Sequence, residues 1–215
     1  TDEVMPLITP DMNAVFYGDI IALSKMAKSL GESKKSVELQ SKAKKVKELI
    51  LSELYDSEDK FFYDVDKNGN KRKYLSCSVF SLFSEGVLDK ESDKAIIDAI
   101  YNEHLKNKNE FWTEFPIPSM AINDPSTKTH KDKNCWGYYS QALTALRCTL
   151  WMDNYGYKED LDHILLKWQQ LCVENFQKRK FCQEADPKTG EFTDCSQWYS
   201  SAMLLFIYSV KRLLK

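Results

Sequence analysis

The sequence predicts an all-α fold of helical hairpins packed in two layers, interrupted by one small β-hairpin. Three observations support this. Apolar residues recur with a period of about 3.6 along most of the chain, the spacing of one helix face. The expected helices are of two kinds that alternate: one rich in aromatic, small and hydroxyl residues, the other amphipathic with a charged face. A helix apolar nearly all round is buried and an amphipathic one lies at a surface, so the alternation requires an inner and an outer layer. A period-two pattern stands out at one place only, around Asn68-Gly69. A double-layered (α/α) barrel meets these conditions, and so does a curved solenoid. The absence of a fixed-period repeat favours the barrel.

The elements follow in order. Pro10-Asp11 opens a first helix over 12–30, ended by Gly31. Ser33 can cap a second, to about Leu54, with Val37, Leu39, Ala43, Val46, Leu49 and Ile50 on one apolar stripe. The segment from Phe61 to Asp66 then alternates, and Asn68-Gly69 is a hairpin turn pair. Asp64, Asp66 and Asn68 also imitate the start of an EF-hand loop, but the twelfth position is Leu75, which cannot supply a carboxylate. A third helix over 76–84 stops at Gly86, and a fourth starts at Asp89 and runs to Leu105. A long loop spans 106–133. A fifth helix is expected over 135–154 and closed by Gly156, a sixth over 159–176, and a seventh over 196–214.

Composition bounds the function. A chain of 215 residues can bury a sizeable core, and residues 1–215 are expected to form a single domain. The net charge of −2 gives no field for nucleic acid or an anionic membrane surface. No apolar run approaches the roughly 20 residues that cross a bilayer. None of the six Cys forms a C-x-x-C pair and only three His accompany them, so no metal site is expected. Cys77, Cys148 and Cys172 fall in helical apolar patterns and read as small buried hydrophobes. Cys182 and Cys195 are near enough to meet, with free thiols as the alternative. The compartment stays open.

Chemistry is most suggested by Phe181-Cys182-Gln183-Glu184-Ala185-Asp186-Pro187-Lys188-Thr189-Gly190-Glu191. This stretch sets a carboxylate in a Pro/Gly-punctuated loop between helices, and loops on a rigid scaffold tend to carry catalytic groups. Trp198 and Tyr199 follow and can form an apolar wall beside it. A carboxylate next to aromatic faces suits the binding and hydrolysis of a sugar. The competing reading is an ordinary polar loop.

The order of motifs adds to this. The chain carries Asn13-Ala14-x-x-Tyr17, then Phe62-Tyr63-Asp64-x-Asp66, then Pro116-x-Pro118-Ser119 leading to Asn123-Asp124-Pro125. Asn134-x-Trp136-Gly137 and Glu184-x-Asp186-Pro187-x-Thr189-Gly190 complete the series. In this order it resembles the C-terminal half of an (α/α)6-barrel glycoside hydrolase, of the family 63 and mannosylglycerate-hydrolase-like group, with trehalases as cousins. The resemblance implies a barrel of six helical hairpins, inversion at the anomeric centre and no cofactor. It implies a general acid Asp on a segment before the Asn-Ala helix and a general base Glu in the late loop, here Glu184. Two departures stand out. The chain has about seven helices where the family fold needs twelve, so an incomplete barrel without its acid is expected. Asp2 and Asp11 are poor substitutes, and Asp11 is explained as helix capping. Glu184 also lies three residues before Pro187, whereas the family more often places its Glu four before, where Gln183 stands.

Other residues carry paired readings. The resemblance puts Trp136 and Gly137 in the sugar subsite, and the alternative is a core Trp with a packing Gly. Tyr139 and Trp198 are expected with Glu184 at the open end of a concave surface lined by the inner helices. Glu114 either contacts sugar hydroxyls or is simply solvated. Asn134 and Asp124 fit turn and cap duty. Arg147 lies in an apolar helical pattern and is expected to be buried and paired. His104, His130 and His163 are expected at the surface. The leading expectation is an inverting, exo-acting glycosidase for an α-linked oligosaccharide or disaccharide. The other is a non-catalytic helical binding or scaffold module derived from such a barrel. A carbohydrate is the expected partner, with neither nucleic acid nor membrane. A preceding N-terminal segment, or a second copy of the chain, is expected to cover an open apolar edge.

Overall fold

The computed structural model describes residues 6–130, 136–193 and 197–214; Asp2, Asn134, Cys135 and Cys195 lie outside them. The chain divides into two compact units, 1–74 with 78–97, and 75–77 with 98–215.

The first unit is built on a helical hairpin. A short strand β1 (Leu7–Ile8) leads into helix α1 (Pro10–Ser29), which Thr9 caps through its side chain and Pro10 starts. Gly31, at φ +81°, reverses the chain, and the Gly31 and Glu32 amides return to Lys28 and Ala27 carbonyls. Helix α2 (Ser33–Leu49) follows, extended by a π turn at Ile50–Leu54. The two helices lie close enough for a buried Ser24–Ser36 hydroxyl contact of 3.0 Å. Next, β2 (Tyr55–Asp56) pairs antiparallel with β3 (Phe61–Phe62). Strand β4 (Asp64–Asp66) pairs with β5 (Lys71–Arg72) across the Asn68-Gly69 turn and with β1 on its other side. Among the described residues there are therefore two hairpins instead of one, one of them widened to three strands. Phe61, Phe62 and Val65 go into the core with Leu82, Phe83 and Leu88.

The third helix is shorter than the periodicity suggests: a 3-10 turn at Cys77–Phe80 runs into a single α turn, α3 (Ser81–Ser84). Helix α4 (Lys94–Ala99), with its π extension Ile100–Leu105, starts five residues later than expected. Asp89 closes a turn by accepting from the Glu91 and Ser92 amides. The buried Asp93 binds Lys47 of α2 at 2.5 Å.

α1 departs from the expected inner-layer character. It buries Ala14, Ile20, Ser24 and Ala27, but Met12, Phe16, Leu23 and Met26 on another face are 67, 45, 52 and 59 % exposed.

In the second unit, α5 (Pro125–His130) breaks the expected long loop, with Asp124 accepting from the Ser126 amide at its start. Strand β6 (Ser140–Gln141) leads directly into α6 (Ala142–Cys148). A 3-10 turn at Asp153–Tyr155 and Gly156, at φ +88°, precede α7 (Lys158–Arg179). Strand β7 (Glu184–Ala185) and α8 (Ser200–Leu213) complete the chain. α6, α7 and α8 pack together around Ala145, Trp151, Leu165, Trp168 and Leu205. Arg212 of α8 grips Asp153 with two nitrogens, at 2.5 and 2.8 Å, and Asp162 with its Nε.

Two expected helix starts are corrected here, for one reason. The carbonyls of Gly137 and Tyr139 accept from the Met120 and Ser119 amides, so 136–141 cannot coil and the fifth helix begins at Ala142. Likewise Gln197 and Tyr199 bond to the backbone of Phe181, and the last helix waits until Ser200.

Arg147 is exposed rather than buried. His104 is buried and bonded to Glu110 at 2.8 Å, not at the surface. His163 is half-buried and stacks on Trp112.

Candidate active site

The predicted loop folds as a tight return. Asp186 Oδ1 accepts from the Lys188 and Thr189 amides at 2.8 and 3.0 Å, the Gly190 amide donates to the Asp186 carbonyl, and Ala185 bridges Phe192. Gly190 is required twice over. Its φ is +72°, and a Cβ there would sit 2.5 Å from the Phe115 ring. Asp186 is thus a turn residue.

Glu184 starts this return and pairs with Gln141 across the antiparallel β6–β7 ladder. Partners in such a ladder project to the same face. Gln141 Nε2 donates to Glu184 Oε2 at 2.5 Å, and Thr193 Oγ1 donates to Glu184 Oε1 at 2.7 Å. The side chain of Gln183 donates back to Gln141 Oε1 at 3.4 Å. Glu184 is 1 % exposed and Gln141 fully buried, while Gln183 is half-buried. A carboxylate accepts at about four lone-pair positions, so two remain for water or substrate. No Lys or Arg is among these bonded partners.

The other candidates divide. Trp136 is 42 % exposed, in the turn before β6, and Gly137 beside it is buried. Tyr139 is half-buried, its ring edge-on to Tyr138 at 5.6 Å. Trp198 is 61 % exposed and bridges Phe181, two residues before Gln183. These residues stand on the segments that flank β6 and β7. Glu114 is elsewhere in purpose: it is exposed and ion-paired with Lys167 of α7, which holds its carboxyl below the usual range. Asp124 is 2 % exposed and bonded to the Leu75 amide and to Ser126. Cys182 is buried and its Sγ–H donates to the Thr193 carbonyl at 3.2 Å. Beside Phe181, an apolar cleft of about 410 Å³ is lined by Cys172, Val173, Phe176 and Phe206. Among the described residues no group of His, Cys, Asp and Glu is placed to hold a metal ion, and no helix is long and apolar enough to cross a membrane.

Sequence reasoning passed over Gln141 and Thr193, the two side chains that hold Glu184. Nothing local signals them, since they lie 43 and 9 residues away.

Mostly helical, with its short strands in turns and strand pairs, the fold is that of the helical-barrel glycoside hydrolases. The chain belongs to the mannosylglycerate hydrolase MGH1-like glycoside hydrolase domain family, whose model matches residues 3–201. Among solved structures, it resembles the neutral trehalase of Saccharomyces cerevisiae with a TM-score of 0.78 and 16% identity, over 95% of this chain and 38% of that one. A mannosylglycerate hydrolase from Thermus thermophilus, solved in complex with Tris, matches with a TM-score of 0.70 and 15% identity, over 94% and 45% of the two chains. An uncharacterized protein of Borreliella burgdorferi is 27% identical over 135 residues, which is 62% of this chain and 26% of that protein. The chain therefore spans less than half the length of these relatives.

Proposed function

We propose that this chain supplies the base side of an inverting, exo-acting glycosidase site, with Glu184 as the general base. The observation that carries the reading is the doubly held carboxylate of Glu184 on the β6–β7 pair. Its neighbouring segments bring Trp136, Tyr139 and Trp198. In an inverting reaction one carboxyl group protonates the leaving oxygen and the other takes a proton from the attacking water. Gln141 and Thr193 fix the carboxylate in place and leave lone pairs for that water. The acid comes from a part of the protein outside these 215 residues. The names of two neighbours, a trehalase and a mannosylglycerate hydrolase, support a small, α-linked glycoside as substrate.

The same larger protein accounts for the exposed stripe of α1. A further segment of it covers Met12, Phe16, Leu23 and Met26. These 215 residues alone then self-associate in sedimentation, and the longer protein does not.

A second reading is favoured by the 1 % exposure of Glu184: a site that binds sugar without hydrolysing it. One experiment separates the two. In the full-length protein, Glu184→Gln keeps sugar binding and lowers turnover by about 10²–10⁴-fold, because the amide cannot accept the proton. Unchanged turnover removes Glu184 from the chemistry. A wild-type protein that binds sugar and never hydrolyses it favours the second reading.

A further inference from the structure

The exposed stripe of α1, read above as a docking face, has a counterpart on α8. Along one face of α1 the exposed residues succeed one another as Phe16, Asp19, Leu23, Met26 and Leu30, at alternating steps of three and four. Leu30 still follows the helical spiral, since its amide donates to the Met26 carbonyl at 3.0 Å. On α8 the exposed residues are Ser200, Leu204, Ile207 and Lys211, and Leu214 just past its end, at steps of four and three. Leu214 continues that spiral in the same way, its amide donating to the Val210 carbonyl at 3.1 Å. Leu204, Ile207 and Leu214 are each more than half exposed, so the face that α8 turns to water is largely apolar. Alternating steps of three and four make the seam along which two helices pack at about 20°.

Each stripe carries one charge, Asp19 on α1 and Lys211 on α8. Neither takes part in an ion pair among the described residues. Burial first, and the charge of Asp19 second, raise the pKa of the Glu85 carboxyl, which lies over the neighbouring Gly18. A cation brought to this point therefore meets two acidic side chains. Laid antiparallel with Asp19 opposite Lys211, the two stripes match at every layer: Phe16 with Leu214, Leu23 with Ile207, Met26 with Leu204 and Leu30 with Ser200. The steps coincide as well, three against three and four against four. In the parallel sense the same charge pairing sets steps of three against four, and the layers fall out of register. The antiparallel pair also opposes the two helix dipoles.

Resting on the docking reading of α1, we propose that α1 of one copy of this chain seats antiparallel on α8 of a second copy, with Asp19 and Lys211 paired within the seam. The apolar layers drive the contact. The charge pair fixes its direction and register, because a shifted alignment sets each charge against an apolar layer. The contact joins two different surfaces and is therefore head-to-tail. In the longer protein the segment that covers α1 occupies the same place and excludes the second copy.

Sedimentation equilibrium of the 215-residue chain tests this. The wild type associates. Asp19→Lys and Lys211→Asp each set like charges against one another and raise the dissociation constant about tenfold or more, with circular dichroism unchanged. Mixed in equal amounts, the two variants associate again, because each supplies the charge that the other lacks. If Asp19→Lys associates as tightly as the wild type, or the mixed variants stay apart, the inference is overturned and the docking reading of α1 stands. If the wild type stays monomeric up to millimolar concentration, the docking reading of α1 falls and this inference falls with it. None of these outcomes bears on Glu184, which is tested by turnover.

Discussion

The β4–β5 hairpin and the β6–β7 pair both carry acidic side chains, and they satisfy them by opposite routes. In the hairpin, Asp66 accepts from the amides of Asn68 and Asn70 and pairs with Arg72, all within six residues. In the β6–β7 pair, Glu184 accepts from the side chains of Gln141 and Thr193. The first solution is local and relies on backbone that the turn presents anyway. The second needs two distant side chains and a ladder in register. A carboxylate held only by its own turn is a structural device. One held by remote neutral donors, with acceptor capacity left over, is built for something else.

Mutation can break this contrast. Glu184→Ala leaves Gln141 and Thr193 donors buried without their acceptor, and is expected to cost about 3 kcal/mol. Asp66→Ala should cost less, because the freed amides lie at a turn that water reaches. Equal losses in urea unfolding would erase the distinction between the two regions.

A pH titration sharpens it next. Burial, with the nearby charge of Asp11 second, raises Asp64 from 3.8 to about 6. The folded state therefore binds this proton more tightly than the unfolded state. Its contribution favours folding most below about 4 and is lost as pH rises through 6. Asp64→Asn should then stabilise the protein at pH 7.5 by about 1 kcal/mol, a figure reduced for the solvent screening of a partly exposed group. The gain should vanish at pH 4. A gain that persists unchanged at pH 4 would mean the half-buried Asp64 is not penalised as a charge.

The smallest effect belongs to Glu114. Its exposed pair with Lys167 resembles a surface ion pair, so Glu114→Ala should change stability by about 0.5 kcal/mol or less. In the full-length protein it should also leave KM for the glycoside substrate unchanged. A large rise in KM would return Glu114 to the sugar site, as the sequence alone allowed.

The sequence by itself determined the elements whose causes are short-range. Pro10-Asp11 and Gly31 set the limits of α1, although the cap itself is Thr9 rather than Asp11, and Asn68-Gly69 set the hairpin turn. The Asp186-Pro187-Lys188-Thr189-Gly190 turn was legible too, along with Glu184 as its neighbouring acid. Tertiary structure decided what depends on backbone groups finding distant partners. Ser119 and Met120 take the carbonyls of Tyr139 and Gly137, so a stretch with helical periodicity becomes a loop and a strand. Periodicity reports which face is apolar, but it cannot report that a hydrogen bond has already been claimed from elsewhere. The same limit hid Gln141 and Thr193, and it hid the outcome that Glu184 is buried while Gln183 beside it reaches the half-buried side. Only the register with β6 decided that Glu184 would lie opposite Gln141 and take its amide.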